Sequence, residues 1–143
     1  MKEMTRIEAH PDYCMNCHRC AVFCVVAHAR SNDPVKAYRE TPRAEERVRV
    51  AERMPESLPV NCRHCDEPIC VLSCIAGAMT KDPATGAVYC QEDKCVGCLT
   101  CVAVCPMGAV WPSADGTHAV KCDLCRQRGQ PACVEACPNG GLT

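Results

Sequence analysis

Residues 95–106 have the sequence CVGCLTCVAVCP, in which four cysteines follow the spacing C-x2-C-x2-C-x3-C and a proline comes next. Three cysteines that are each separated by two other residues can wrap a tight loop around one metal centre, with backbone N–H groups directed at its sulfurs. The fourth cysteine lies about one helical turn further on, which advances the chain by about 6 Å and presents its thiolate to a neighbouring centre. The stretch therefore predicts metal centres that lie in adjacent pairs.

The same spacing recurs along the chain. Sixteen of the seventeen cysteines fall into four groups of four, and Cys90 is the remainder. The groups are Cys14, Cys17, Cys20 and Cys24; Cys62, Cys65, Cys70 and Cys74; Cys95, Cys98, Cys101 and Cys105; and Cys122, Cys125, Cys133 and Cys137. An internal repeat of this kind indicates that one structural unit is used four times.

The cysteines also replace a conventional core, since the 143-residue chain has only five aromatic residues. Disulfides, zinc and iron–sulfur clusters are the three explanations. Disulfides need an oxidising compartment, and residues 1–10 contain no apolar secretory signal and no twin arginine. Zinc sites use two C-x2-C pairs or Cys/His mixtures and need no third cysteine in this register. The repeat predicts four [4Fe–4S] clusters, with a zinc-binding interaction scaffold as the remote alternative.

Composition also limits the partners and the location. The formal net charge is −1 and no basic stripe with aromatic residues is visible, so we predict no nucleic-acid partner. The longest mostly apolar stretches, residues 21–29 and 70–79, are far shorter than the roughly 20 residues that cross a bilayer. We therefore predict a cytoplasmic protein without a membrane anchor.

Turn residues predict two β-hairpins between the cysteine groups. Residues 78–81 and 87–90 flank an Asp-Pro-Ala-Thr-Gly turn, and residues 109–111 and 118–121 flank a turn with Ala-Asp-Gly. The cysteine-free interval 29–61 is charged and contains four prolines, and its period-two pattern predicts a half-buried strand at 47–50. We interpret this interval as a solvated connector, with a docking surface for a partner subunit as the alternative.

A few other residues lie close to the motifs. His18 and His64 are interpreted as solvent-facing, and the alternative is that they donate to cluster sulfurs. Cys90 is interpreted as a buried strand residue, with a reactive thiol as the alternative. Three apolar residues are predicted to pack over clusters: Met15, Val96 and Met107. No Ser/His/Asp set, paired-carboxylate site or nucleotide-binding motif is visible, so we predict no catalytic residue.

Residues 61–70 (NCRHCDEPIC) and 120–125 (VKCDLC), with the four-group register, resemble the four-cluster ferredoxin-type electron-transfer subunits. That family includes the iron–sulfur subunits of the dimethyl sulfoxide reductase and formate dehydrogenase families. It also includes the small ferredoxin-like partners of carbon monoxide dehydrogenases, hydrogenases and tungsten aldehyde oxidoreductases. The resemblance covers residues 13–141.

The resemblance implies an α+β fold of two bacterial two-cluster ferredoxin-like domains, with short helices and β-hairpins around the clusters and one domain inserted in the other. The outer domain would be residues 1–30 plus 106–143, which hold the first and fourth motifs. Residues 31–61 would be the charged connector, and residues 62–105 the inserted domain with the second and third motifs.

The resemblance also implies which cysteines share a cluster, a pairing that spacing alone leaves open. The outer domain would use Cys14, Cys17, Cys20 and Cys137 for one cluster, and Cys122, Cys125, Cys133 and Cys24 for the other. The inserted domain would use Cys62, Cys65, Cys70 and Cys105, and then Cys95, Cys98, Cys101 and Cys74.

The implied function is an electron relay between a catalytic oxidoreductase subunit and a soluble electron acceptor or a further redox subunit. The catalytic partner would be a tungsten or molybdenum enzyme, a carbon monoxide dehydrogenase or a hydrogenase. One alternative is a free-standing polyferredoxin with no fixed partner. An enzyme whose cluster binds substrate is disfavoured, because every cluster can be assigned four cysteines.

Overall fold

A computed structural model of the chain describes residues 6–143. The prediction that no secretory signal is present rests on residues 1–10, and residues 1–5 of that segment lie outside the described range. The described helices are short: α1 (Arg19–His28), α2 (Pro34–Ala37), α3 (Ile69–Leu72), α4 (Thr100–Val104) and α5 (Ala132–Ala136), with a 3-10 turn at Pro11–Tyr13. The described strands pair as three antiparallel hairpins: β1 (Val48–Arg53) with β2 (Glu56–Asn61), β3 (Met79–Lys81) with β4 (Val88–Cys90), and β5 (Val110–Pro112) with β6 (Ala119–Lys121). Short helices and small hairpin sheets confirm the predicted α+β class.

Both hairpins predicted between the cysteine groups are present. Their turns are stabilised by aspartate side chains, since Asp82 accepts the N–H of Ala84 at 2.9 Å and Asp115 accepts the N–H of Thr117 at 3.1 Å. An aspartate that accepts a backbone N–H two residues on is the common turn-forming arrangement. The turn signals in the sequence were therefore sufficient to locate these hairpins.

A third hairpin lies inside the interval predicted as a charged connector. Its first strand, β1, includes most of the predicted strand at 47–50, but sequence analysis missed its partner β2. The side chains of β2 that face inward include Ser57 and Asn61, each 6% exposed. Ser57 donates to the carbonyl of Cys14 at 3.3 Å, and Asn61 donates to the carbonyl of Ile7 at 3.3 Å. Polar residues on the buried face gave this strand no hydrophobic alternation to detect.

Charged residues of this interval contact the rest of the chain. Arg47 forms ion pairs with Asp123 at 3.2 Å and with Glu92 at 3.3 Å. The guanidinium of Arg49 lies over the ring of Trp111, 4.5 Å from its centroid, a cation–π contact. This part of the interval therefore packs on the rest of the chain, and the docking surface considered from sequence stays a prediction.

The helices carry the cysteines in a repeated way. The third cysteine of each group lies within a helix, as Cys20 does in α1 and Cys133 in α5. The fourth cysteine follows about one turn later, and Cys105 and Cys137 are the C-cap residues of α4 and α5. Helix α1 packs against α5, and α3 packs against α4. The first motif thus meets the fourth, and the second meets the third.

The core contains eight cysteines among its 26 buried apolar residues. Leu142, Val25, Val48 and Val88 are its largest fully buried residues. Around them lie two groups of buried residues, one beside α1 and α5 and the other beside α3 and α4, and both include several cysteines. A core built in this way depends on whatever occupies the space between the sulfurs.

Candidate functional site

The four cysteine loops share one backbone feature. In each C-x2-C pair, the residue before the second cysteine has a positive φ, namely 55° at Asn16, 47° at His64, 71° at Gly97 and 60° at Leu124. Three of these are not glycine, so their side chains are held in the left-handed region that L-residues rarely adopt. The N–H of His64 points to Sγ of Cys62 at 3.4 Å, and the N–H of Leu124 points to Sγ of the corresponding first cysteine at 3.4 Å. The loops therefore direct backbone donors at thiol sulfur.

Three cavities are each lined by four of the predicted ligands. In each cavity, three cysteines come from one group and the other is the fourth cysteine of a different group. We name them site 1 (Cys14, Cys17, Cys20, Cys137), site 3 (Cys62, Cys65, Cys70, Cys105) and site 4 (Cys74, Cys95, Cys98, Cys101). The remaining lining is mostly apolar, and it includes Met15 in site 1, Met107 in site 3 and Val96 in site 4. The three residues predicted to pack over clusters thus lie at these cavities.

The remaining four predicted ligands form a closed group, which we name site 2 (Cys24, Cys122, Cys125, Cys133). All four are buried, with between 4% and 8% of each residue exposed. Burial raises the pKa of Cys122, Cys125 and Cys133, and the nearby Cys24 raises it further in each case. The contact between α1 and α5 brings Cys24 to the fourth motif.

The electrostatics of the thiols depend on their surroundings. Burial raises the pKa of Cys20 to about 11 and also raises the pKa of Cys70 and Cys101. Such thiols become thiolates only when a cation supplies the missing positive charge. At Cys74 and Cys137 burial raises the pKa too, but N–H groups of the residues that follow outweigh it and the pKa is lowered. These donors stabilise negative charge on the fourth sulfur.

Two buried polar groups indicate a negatively charged occupant of the sites. His64 is 5% exposed, and its Nδ1 accepts the N–H of Val88 at 2.9 Å, while its Nε2 has no partner. Burial and then the charge of Lys121 lower the pKa of His64 to about 3, so the ring is neutral and carries its proton on Nε2. Lys121 is 2% exposed, and within residues 6–143 the hydrogen-bond partners of its Nζ are all carbonyl oxygens. A cluster with four thiolates and sulfide acceptors fits both groups.

The two loop histidines differ. The interpretation of His64 as solvent-facing is wrong, because the ring lies under β4 and its unpartnered Nε2 suits the alternative of a donor to sulfur. His18 is half-exposed and lies 2.6 Å from a carboxylate oxygen of Glu52, so its solvent-facing interpretation is confirmed. Both residues lie inside ligand loops, next to the second cysteine of their group, and tertiary cover separated them.

Cys90 lines site 4 together with the four predicted ligands. The residue is half-buried, and burial, with Cys95 as the next contributor, raises the pKa of its thiol to about 12. Sequence analysis placed Cys90 in a strand, which β4 confirms, but gave no reason for the thiol to face the cysteine cavity. The neighbouring Tyr89 instead contacts the guanidinium of Arg126, which lies 3.8 Å from the centroid of its ring.

A charged network borders site 2. His28 on α1 lies 3.0 Å from Asp123, whose other oxygen lies 3.2 Å from Arg47. Burial alone would lower the pKa of His28, but the hydrogen bond to Asp123 raises it to about 9. The same contacts lower the pKa of Asp123 against the effect of its burial. The network joins α1, the start of β1 and the fourth motif, and sequence analysis missed it because its members are far apart in the chain.

The four sites are neighbours in the order 1, 2, 3, 4. Besides burial, Cys20 of site 1 raises the pKa of Cys133 in site 2. Cys62 of site 3 likewise affects Cys122 of site 2, and Cys70 of site 3 affects Cys101 of site 4. Each pair consists of thiols close enough to interact electrically. The arrangement can therefore hold metal centres in a continuous series.

Comparisons with known proteins decide the family. A family model described as "4Fe-4S dicluster domain" matches residues 53–143, and one described as "4Fe-4S binding domain" matches residues 11–26. The chain belongs to the 4Fe-4S dicluster domain family. This confirms the resemblance to ferredoxin-type electron-transfer subunits that the cysteine motifs suggested, and the protein is an iron–sulfur electron-transfer protein.

Individual members of the family match along nearly the whole chain. An "Iron-sulfur protein" of Rhodospirillum rubrum is 35% identical over 99% of this chain and 82% of its own length. "Electron transport protein HydN" of Escherichia coli (strain K12) is 36% identical over 95% of this chain and 85% of its own length. Among solved structures, the active site complex BamBC of benzoyl coenzyme A reductase matches with a TM-score of 0.50 and 26% identity, covering 96% of this chain and 74% of that one. Within residues 6–143, no helix is both long and apolar enough to cross a membrane.

Proposed function

We propose that the protein carries four [4Fe–4S] clusters, one in each site, on the sixteen cysteines named above. The observation that carries the proposal is the lining of the cavities, where three cysteines of one group meet the fourth cysteine of another. Cys90 is left outside the ligand set because site 4 already has four thiols with the recurring loop geometry. The N–H donors to sulfur and the buried cation at Lys121 support the same assignment.

The grouping implies a nested chain organisation, which we propose as residues 1–30 with 106–143 for one domain and residues 62–105 for the domain inserted in it. The packing of α1 on α5 and of α3 on α4 supports it. Residues 31–61 connect the two, and their hairpin β1–β2 lies against α1.

The proposed role is an electron relay with no catalytic site of its own. A [4Fe–4S] cluster takes up or gives off one electron without making or breaking a bond to substrate. The residues of the chain hold the four sites in sequence, direct N–H groups at the sulfurs and keep water from site 2. Four cysteines per site complete the coordination, so no iron would remain open to a substrate.

The ends of the series suit exchange with partners. Cys17 of site 1 and Cys98 of site 4 are exposed, as is Cys65 of site 3, whereas every cysteine of site 2 is buried. We infer that a catalytic oxidoreductase subunit docks near one end and a soluble electron acceptor or further redox subunit near the other. The relative named as an electron transport protein and the benzoyl coenzyme A reductase complex support a subunit role. We also propose a cytoplasmic location, where cysteines stay reduced and available to metal.

Metal analysis and electron uptake test the proposal. Anaerobically purified protein should contain about 16 iron atoms and 16 acid-labile sulfides per chain and should bleach with dithionite. The isolated chain should exchange electrons with dyes and turn over no organic or gaseous substrate. About 4 zinc atoms without sulfide would refute the clusters. Substrate turnover by the chain, with no other subunit detectable by mass spectrometry, would refute the relay.

A further inference from the structure

Lys121 occupies an unusual position for a lysine. The residue ends β6 and is 2% exposed. Its Nζ donates to the carbonyl of Val88 on β4 and, at 3.0 Å, to the carbonyl of Cys122. Its side chain also lines site 3. Lys121 therefore lies where site 2 and site 3 adjoin, next to a cysteine of each.

Neutral carbonyl oxygens do not balance a buried ammonium. Taking a charge out of water is costly unless an opposite charge accompanies it, so buried lysines are paired with anions. Among the residues described, the hydrogen-bond partners of Nζ include no carboxylate. The groups that would carry negative charge at this place are the thiolates of sites 2 and 3. Lys121 is close to both, since it precedes Cys122 in the chain and lines site 3 together with Cys70.

We propose that the Lys121 ammonium is the counter-charge shared by the clusters of sites 2 and 3, and that it raises the reduction potential of both. The inference rests on the proposed function, because it needs clusters in these sites. Each cluster with four thiolates has a charge of about −2, which becomes about −3 on reduction. A fixed cation stabilises the reduced form more than the oxidised form. The electron arrives from the neighbouring site, and no bond forms or breaks.

The position of the charge gives it a role in the relay. Electrons that move along the series must cross from site 2 to site 3, which is also the junction of the two proposed domains. Raising both potentials together keeps the difference between the potentials of sites 2 and 3 small. It also makes these two central sites the easiest to reduce. Lys121 lines neither of the end sites 1 and 4, so its charge acts on them over a longer distance and more weakly.

Lys81 provides a matched control. Its Nζ also donates to two carbonyl oxygens beside site 3, those of Cys65 at 3.1 Å and Asp66 at 2.8 Å. Lys81 is partly exposed, so water screens its charge. The two lysines share hydrogen-bonding chemistry and differ in burial. Replacing each by glutamine keeps a donor for the carbonyls and removes the charge.

The experiment is an anaerobic redox titration, followed by electron paramagnetic resonance, of the full-length wild type, Lys121→Gln and Lys81→Gln, with iron measured in each sample. In Lys121→Gln, two of the four one-electron steps should move to lower potential by about 59 mV. A shift of this size corresponds to a tenfold fall in the reduced-to-oxidised ratio at a fixed potential. In Lys81→Gln the steps should stay close to those of the wild type. Selective loss of the clusters of sites 2 and 3 from Lys121→Gln, with the other two retained, would also support the proposal.

Three results would overturn it. The first is a full iron content in Lys121→Gln with unshifted potentials, and the second is an equal shift in both variants. The third is uniform loss of all four clusters from Lys121→Gln, because that would make the residue a general folding element. A wild-type protein without about 16 iron atoms would instead refute the proposed function, so the two failures are distinguishable.

Discussion

Site 2 and site 4 are built from the same kind of motif but differ in their exposure to water. In site 4 the second cysteine of the C-x2-C pair, Cys98, is exposed, as are Cys17 and Cys65 at the same position in sites 1 and 3. In site 2 that position is Cys125, which is 8% exposed. The local sequence therefore sets how a thiol is presented to a metal, and tertiary packing sets whether water reaches it.

The cover of site 2 comes from distant segments. Helix α1 lies against α5, and the His28–Asp123–Arg47 network closes one side. Site 4 has cover mainly from its own motifs, and Val96 beside it is 65% exposed. An interior site suits passage of electrons, whereas a site at the surface suits exchange with a partner. Differences in metal lability and in the cost of losing a ligand should follow from this contrast.

The largest expected effect is on folding as a whole. The core groups contain cysteines throughout and few large apolar side chains, so removal of all iron should leave a chain with no cooperative thermal transition. Circular dichroism and limited proteolysis before and after anaerobic chelation would measure it. A sharp transition that survives in iron-free protein would contradict the idea that metal binding supplies the folding energy.

The next effect separates the two sites directly. Cys125→Ser removes a ligand from the enclosed site, so we expect loss of that cluster and destabilisation on the order of 4–5 kcal/mol. Cys98→Ser changes an exposed ligand, and we expect the iron content to fall by at most about 4 of 16 while the fold persists. Iron content and thermal denaturation of both variants give the comparison. Equal destabilisation would mean that burial of the site does not matter for stability.

A third variant tests which cysteines share site 2. Cys24→Ser should damage the cluster among Cys122, Cys125 and Cys133, almost a hundred residues away in the chain, and spare the cluster of site 1. Mössbauer or paramagnetic resonance spectra, compared with those of Cys125→Ser, would identify the lost cluster. If the loss instead matches that of a site 1 variant such as Cys17→Ser, the nested pairing is wrong.

The smallest expected effect concerns the fifth thiol of site 4. Cys90→Ser should leave about 16 iron atoms in place, because site 4 keeps four other cysteines. Replacing the Cys90 thiol, which lies near Cys95, by a hydroxyl should alter only the redox signal of the cluster in site 4. Iron analysis with a redox titration would check this, and loss of about a quarter of the iron would show that Cys90 is a ligand.

Much of the architecture could be predicted from the residues. The register of the cysteines indicated the metal chemistry, and the Asp-containing turns located β3–β4 and β5–β6. The hairpin β1–β2 could not be predicted in full, because Ser57 and Asn61 face inward for hydrogen bonds that other segments provide. The burial of His64 was missed for the same reason, since β4 covers the ring only after the hairpin has folded over the loop.

The sequence by itself determined the number of thiol groups, their spacing and the tight loops that present them, because these depend on residues within a few positions of one another. Tertiary structure alone decided that Cys125 is enclosed while Cys98 is exposed, that Cys90 faces site 4, and that Lys121 lies between sites 2 and 3. Burial and electrostatic contact depend on segments that are distant in the chain, and no local pattern of residue types records which of them will meet.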